Sequence, residues 1–140
     1  MIKKISILII MVSLSIVYFF LAGCDDSMSS KEDSLVDTWI LTNLKYVFSD
    51  FTMNVDPSEN NISMRMTFKS DNTFQVIQTE GNQTYTSSGT WSISAKKISF
   101  NENGEEYELE YSLKEDKLEI SFEDELEGEP FTEIQIFSRD

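Results

Sequence analysis

The chain has 140 residues, and its 25 Asp and Glu against 11 Lys and Arg give a formal net charge of -14 at pH 7. This length suits a single domain, and so acidic a protein repels the phosphates of nucleic acids and of anionic membrane surfaces, which argues against both as partners recognised by charge. With no His and one Cys, the sequence lacks the Ser-His and Cys-His catalytic pairs and the ligands of His/Cys zinc sites.

The first predicted element is a secretory signal. Lys3 and Lys4 precede an apolar run over residues 5–21, and residues 21–24 read Leu-Ala-Gly-Cys. This order of positive, apolar and small residues is typical of a signal peptide, and the last four residues resemble the lipobox of bacterial lipoproteins. The resemblance implies cleavage before Cys24 and acylation of its thiol, and two or three acyl chains anchor a protein stably. The alternative is an uncleaved transmembrane anchor, since the apolar run is nearly long enough to span a bilayer.

A polar segment follows the cysteine. Residues 25–34 (DDSMSSKEDS) have one apolar residue in ten, which predicts a flexible tether. The chain therefore divides into a lipoprotein signal peptide at 1–23, the lipidated Cys24 with its tether at 24–34, and one domain at 35–140. The lipid on Cys24 places this domain in the bacterial cell envelope, outside the cytoplasm, on the periplasmic side or the cell surface.

From residue 37 onward, apolar and polar residues alternate with a period of two. Residues 62–69, 105–113 and 118–123 show this alternation, which a half-buried antiparallel strand requires. No segment after the signal has a comparable helical period, so the sequence predicts an all-β domain. The eight predicted strands are 38–48, 62–69, 73–79, 84–94, 97–102, 105–113, 118–123 and 131–137.

Short turns set the register of these strands. Asn103-Gly104 fits a two-residue type I′ hairpin, which places Phe100 opposite Tyr107. A one-residue slip would turn the apolar face of a strand outward, so the matching of apolar residues supports this register. The same turn places Ile98 opposite Leu109. Turns at 70–72, 94–97 and 114–117 likewise pair Phe68 with Phe74, Met66 with Val76, Ile93 with Ile98, Trp91 with Phe100, Leu113 with Leu118, Tyr111 with Ile120 and Leu109 with Phe122, and Gly89 falls near Phe74.

Eight consecutive strands with one apolar face must bury that face, either in a closed barrel or between two packed sheets. Short hairpins in unbroken order favour the barrel. Residues 35–39 (LVDTW), 67–74 (TFKSDNTF) and 88–91 (SGTW) resemble the lipocalin-like domains of small bacterial lipoproteins. The resemblance implies an antiparallel, up-and-down, eight-stranded β-barrel of calycin type. Such barrels commonly begin with Gly-x-Trp; here Asp37 stands where Gly is usual, and Trp39 retains the match.

The resemblance also implies that a small hydrophobic molecule binds inside the barrel. The residues that would line its site are Trp39, Met64, Met66, Phe68, Phe74, Trp91, Phe100, Tyr107 and Tyr111. The connection at residues 49–61 carries Phe51, Met53 and Val55, which are predicted to form an apolar lid over the barrel mouth. The alternative is that these bulky side chains simply fill the interior, since an eight-stranded barrel is just wide enough for them.

Negative charge is concentrated between residues 101 and 133, which hold 14 Asp and Glu against two Lys. The predicted register places Glu108 opposite Glu123, and like charges facing each other across strands are destabilising. A divalent cation held by this pair, or a basic protein partner, would relieve the repulsion, and a predicted loop at 124–129 adds carboxylates. The alternative is a solvated acidic face that aids solubility, because no fixed ligand spacing such as an EF-hand loop is present.

The carboxylates alternate with the apolar stripe and therefore point to solvent, so they do not form the facing pair that a glycosidase needs. The sequence predicts neither an enzyme nor a cofactor. Two hypotheses follow for its function. In the first, a membrane-tethered module binds a small hydrophobic ligand in the cell envelope. In the second, a filled barrel is a scaffold that binds a protein partner through its acidic outer face.

Overall fold

The computed structural model describes Glu32 and residues 34–140. The predicted signal peptide, Cys24 and most of the tether lie outside these residues. The described residues form, in chain order, β1 Asp37–Val47, β2 Thr52–Val55, a one-turn 3-10 helix Ser58–Asn60, β3 Ile62–Phe68, β4 Thr73–Glu80, β5 Gln83–Ser94, β6 Lys97–Glu102, β7 Glu105–Lys114, β8 Lys117–Leu126 and β9 Glu129–Arg139. Within this part of the chain, no helix is long and apolar enough to cross a membrane.

Eight of the strands close into one antiparallel barrel. β1 pairs with β3, each later strand pairs with the next, and β9 returns to pair with β1. Sequential hairpins joined in this way form an up-and-down barrel. The structure therefore confirms the predicted all-β, eight-stranded fold. β2 is an unpredicted additional strand, and it pairs with residues 44–47 of β1.

The predicted hairpin registers are confirmed where the ladders form. Asn103 and Gly104 have φ of 55° and 88°, the left-handed conformation that a type I′ turn requires, and Phe100 faces Tyr107 beside it. These registers place a continuous apolar row on the inner face of the barrel. The other confirmed pairs are Ile98 with Leu109, Phe68 with Phe74, Met66 with Val76, Ile93 with Ile98, Trp91 with Phe100, Leu113 with Leu118, Tyr111 with Ile120, and Phe74 with Gly89.

The ladder between β7 and β8 is shorter than the sequence predicts. It ends at the rung of Glu110 with Ser121; beyond it, β7 pairs with β6 and β8 pairs with β9. β8 also continues through the predicted loop at 124–129, which is instead a tight hairpin around Glu127-Gly128. The two predicted rungs that do not form are Leu109 with Phe122 and Glu108 with Glu123.

This ladder stops short of the rung that would bring two carboxylates together. The carboxylates of Glu108 and Glu123 would face each other across the sheet, and like charges at such a position are destabilising. Each carboxylate instead contacts the strand on its other side. Glu108 Oε2 lies 3.2 Å from Lys97 Nζ. Glu123 Oε1 accepts a hydrogen bond from Thr132 Oγ1 at 2.9 Å. The repulsion is therefore relieved by separation of the two strands.

A β-bulge at Thr42 determines which side chains of β1 face the interior. β1 uses one residue more than its partner β9 at this point. Trp39 and Leu41 are buried before the bulge, whereas Leu44 and Tyr46 are buried after it. The extra residue thus moves the inward-facing positions from odd to even numbers, as happens when two residues oppose one.

Trp39 closes one end of the barrel (the closed end). Its indole Nε1 donates a hydrogen bond to the Leu35 carbonyl oxygen at 3.0 Å, and the Arg139 guanidinium lies 4.5 Å from its ring centroid. Asp37, at the position where Gly is usual, forms an ion pair with Arg139 and so holds the guanidinium over the indole. The Thr38 amide and then Arg139 hold the pKa of the Asp37 carboxyl below its ordinary value.

Candidate functional site

The predicted ligand-lining residues pack against one another inside the barrel. The ring centroids of Phe68 and Trp91 are 4.9 Å apart, and Phe100 lies 5.0 Å from Phe74 and 5.3 Å from Tyr107. Between the closed end and Phe100, these side chains fill the interior. The other predicted members are Trp39, Met64 and Met66, which are buried, and Tyr111, which is half-buried.

β9 turns polar side chains into the interior. Glu133 and Gln135, only 4% and 9% exposed, lie in the same inward row as the buried Phe137. The apolar Ile134 and Ile136 between them are less buried, which reverses the usual distribution. The register with β8 fixes this arrangement, because it places the buried row of β8 beside the same row of β9.

Tyr46 and Gln78 join these two residues from other strands, and the four form the polar cluster. Tyr46 faces Glu133 across the ladder of β1 and β9, and Gln135 Nε2 donates to Glu133 Oε1 at 3.0 Å. Gln78, Glu133 and Gln135 line a cavity of about 10 Å³, which has room for about one water molecule. The cavity's other lining residues are Leu41, Leu44, Ile62, Met64 and Glu80.

Burial controls the protonation of the polar cluster. It raises the pKa of the Glu133 carboxyl, although the hydrogen bond from Gln135 opposes the shift. Burial also raises the pKa of the Tyr46 hydroxyl, and the carboxylates of Glu133 and Glu80 raise it further. The Tyr46 oxygen is buried and has no hydrogen-bond partner among the described residues. Because buried polar groups are almost always paired, this hydroxyl is available to bond a further group.

A row of aromatic rings runs from Tyr46 to the surface. The ring centroid of Phe131 lies 5.8 Å from that of Tyr46, Phe48 lies 5.2 Å from Phe131, and Phe51 lies 4.5 Å from Phe48. Phe51 is 58% exposed. Phe48, Phe51 and Phe131 form the aromatic cap, which separates the polar cluster from solvent at this point.

The connection predicted as a lid contributes to the cap and to the sheet. Phe51 stacks in the cap. Met53 and Val55 lie on β2, where they face Tyr46 and Leu44 across the ladder with β1. Met53 is exposed and Val55 packs against the core, so β2 extends the sheet beside β1.

A larger cleft lies on the outer surface where β7 and β8 separate. Its volume is about 390 Å³, and both Glu108 and Glu123, the two residues that the sequence suggested for a cation, line it without facing each other on a rung. Among the described residues, no group of three His, Cys, Asp or Glu is placed to hold a metal ion. The cleft's other lining residues are Lys97, Leu109, Glu110, Ser121 and Phe122.

Glu133 is expected to make stability depend on pH. Its folded pKa lies above the ordinary value of 4.5, so its favourable contribution is present below that value and is lost as the pH rises through the folded pKa. Glu133→Gln keeps the side chain's shape and stays neutral. We therefore expect the variant to be more stable than the parent near pH 7 and to lose this advantage near pH 4.

Urea unfolding at both pH values measures this difference. Glu59→Gln, an exposed position on the 3-10 helix, controls for the general effect of removing one negative charge from an acidic protein. An advantage of Glu133→Gln that is the same at both pH values would show that the carboxyl does not titrate in the folded interior.

The fold defines a class of protein. A closed antiparallel barrel of eight sequential strands is a ligand-binding type of scaffold, and barrels of this type are typically non-enzymatic. The model of the lipocalin-like domain family matches residues 35–120. The chain belongs to this family, as its sequence motifs predicted.

Among solved structures, the chain is similar to an uncharacterized protein from Bacteroides eggerthii. The two are 13% identical, the match covers 76% of this chain and 99% of the other, and the TM-score is 0.49. No curated protein matches the chain.

Proposed function

We propose that this protein is a membrane-anchored lipoprotein of the bacterial cell envelope whose barrel binds a small amphiphilic molecule without catalysis. The observation that carries the proposal is the buried Tyr46 hydroxyl, which has no partner among the described residues and lies on the rung of the buried Glu133. Leaving a buried hydroxyl unpaired costs roughly 1–3 kcal/mol. A polar group of a ligand would offset that cost.

The chemistry of the polar cluster indicates the ligand's polar group. Beside Glu133, the cavity is lined by the neutral amides of Gln78 and Gln135, which suit a neutral hydrogen-bonding group. A hydroxyl group donates to a carboxyl oxygen and accepts from a phenol, which are the two groups that Glu133 and Tyr46 present. The walls of the cavity beside Glu133 include Leu41, Leu44 and Met64. The ligand is therefore a small hydrophobic molecule that carries a neutral hydrogen-bonding group such as a hydroxyl.

The apolar part of such a ligand needs more room than the cavity of about 10 Å³ beside the polar cluster. The aromatic cap is the boundary that can give way, because Phe51 is largely exposed and loses little packing when it moves. Displacement of Phe51 and Phe131 would uncover the Tyr46 ring, which packs against Phe131. The displaced rings would then cover the apolar part of the ligand.

The membrane anchor is supported by the sequence. Cys24 is the only cysteine in the chain, and it stands at the end of the apolar run directly after two small residues. Acylation gives this thiol a role that needs no second cysteine. The polar tether at 25–34 then holds the barrel away from the membrane surface.

Mass spectrometry of the protein extracted from its own host in mild detergent tests both parts of the proposal. We expect a chain that begins at Cys24 and carries acyl groups. Under native conditions we also expect an additional small molecule, which is released when the protein unfolds. A chain that retains residues 1–23 would contradict the anchor, and the absence of a released molecule would contradict the binding function.

Tyr46→Phe is the matched variant for this experiment, because it removes only the unpaired hydroxyl. We expect a severalfold lower occupancy by the released molecule, together with a free energy of unfolding of the ligand-free protein that is higher by about 1 kcal/mol. Tyr85→Phe, which removes an exposed hydroxyl, is the control. Unchanged occupancy in Tyr46→Phe would show that the ligand binds elsewhere.

A further inference from the structure

Among the described residues, a strand edge without a partner borders the cleft where β7 and β8 separate. Residues 105–109 of β7 pair with β6 but lie beyond the end of the ladder with β8. The Tyr111 amide donates to the Lys96 carbonyl oxygen at 2.8 Å, so the odd-numbered residues of β7 direct their main-chain groups toward β6. Glu106 and Glu108, which alternate with them, direct their main-chain N–H and C=O groups into the cleft.

The facing edge of β8 is partly protected by a side chain. The Glu125 amide donates to Asp124 Oδ1 at 2.8 Å, and a strand whose amide is already bonded to a side chain is a poor template for another strand. The more accessible edge is therefore that of β7, which offers five residues, or about 17 Å of extended chain.

The cleft has an apolar floor and an acidic rim. Leu109 and Phe122 alternate with the carboxylates along β7 and β8, and they supply the apolar lining between them. Lys97 is paired with Glu108, but both side chains are about half exposed, and such surface pairs exchange partners at little cost. A strand in this cleft would turn alternate side chains toward the rim and toward the floor. The carboxylates of the rim are Glu108, Glu110 and Glu123.

We propose that the cleft binds an extended segment of another protein, in which basic residues alternate with apolar ones, and that this segment adds to β7 as a β-strand. Main-chain bonds to Glu106 and Glu108 would supply the pairing, and the acidic rim would select basic side chains. Charge disfavours a second copy of this chain, whose corresponding face is equally acidic. It also disfavours residues 25–34, which hold four acidic residues and one Lys.

Amide hydrogen exchange measured by NMR tests this proposal. The sample is the full chain in mild detergent at about 0.15 M salt, with and without a blocked peptide of sequence Lys-Val-Lys-Val-Lys. At saturation we expect exchange of the Glu106 and Glu108 amides to slow by at least about tenfold. The Tyr107 amide, which faces β6, is expected to change little. Peptide binding without slower exchange at Glu106 and Glu108 would overturn the proposal.

Peptide variants separate strand addition from charge attraction. Methylation of the central Lys amide keeps every charge but removes the donor that would face β7, and we expect it to weaken binding at least about tenfold. A Glu-Val-Glu-Val-Glu peptide is expected not to bind. Equal binding of the methylated peptide would overturn strand addition.

Protein variants locate the site and identify a competing occupant. Glu108→Lys is expected to weaken binding of the basic peptide at least about tenfold, whereas Glu59→Lys, exposed on the 3-10 helix, makes the same charge change away from the cleft and is expected to retain most of the affinity. Equal losses in both variants would overturn the assignment to the cleft.

Slower exchange of the Glu106 amide at higher protein concentration without peptide would identify a second copy of the chain as the occupant and would also overturn the proposal. Tyr46→Phe separates this site from the interior one, because it is expected to leave peptide binding unchanged.

Discussion

Replacing Phe68 with alanine is expected to lower the free energy of unfolding by about 3–5 kcal/mol. Phe68 is 1% exposed, and its ring centroid lies 4.9 Å from that of Trp91 and 6.0 Å from that of Phe100. Alanine removes these contacts and leaves a cavity. The neighbouring rings stand on paired strands of a closed barrel, so they cannot collapse fully into the space. Urea unfolding followed by tryptophan fluorescence measures the loss.

Tyr85→Ala is the matched control for this measurement. Its side chain is also aromatic but is 54% exposed, so we expect a change within about 0.5 kcal/mol. A loss in Phe68→Ala no larger than that in Tyr85→Ala would mean that the rings do not pack as a filled core. It would then favour a barrel with an open interior.

Gly89→Ala is expected to destabilise the protein by at least about 3 kcal/mol. A Cβ atom at this position would lie 2.0 Å from the Asn101 carbonyl oxygen and 3.1 Å from Phe74 Cε1. The carbonyl belongs to a main chain that is paired with Thr90 on one side and with Glu106 on the other. It therefore cannot move away without breaking a ladder. Urea unfolding again measures the effect.

The adjacent Ser88→Ala variant controls for the strand itself. Ser88 is exposed on the same strand, and its substitution is expected to change stability by less than about 0.5 kcal/mol. If Gly89→Ala fails to fold, limited proteolysis of the freshly translated chain still compares the two variants. A Gly89→Ala protein as stable as Ser88→Ala would show that β5 and β6 do not approach so closely.

Turn chemistry and alternation predicted most of the fold. The Asn103-Gly104 turn and three similar hairpins specified the register because each apolar face had one partner face to match. The features that were missed have no such local marker. The bulge at Thr42 carries neither Gly nor Pro, and β2 is a short strand whose first three residues are exposed, so its pattern is weak.

The candidate site was harder to predict for a related reason. Along β9, Glu133 and Gln135 alternate with Ile134 and Ile136, so the local pattern favours burial of the two Ile. The register with β8 instead turns Glu133 and Gln135 inward. This register is imposed only when the barrel closes. The inward position of Tyr46 depends on the bulge. The predicted aromatic lining was chosen by size and hydrophobicity, which are equally typical of a filled core.

The bulge at Thr42 has a consequence for how such a barrel can diverge. Because the extra residue lies between Trp39 at the closed end and Tyr46 in the polar cluster, it uncouples the two halves of β1. An insertion of one codon here, with the bulge kept, would leave the indole in place and exchange the other interior residues of the strand, with Lys45 replacing Tyr46 beside Glu133. A family could thus acquire new interior side chains in one mutational step while the closed end of its barrel stays unchanged.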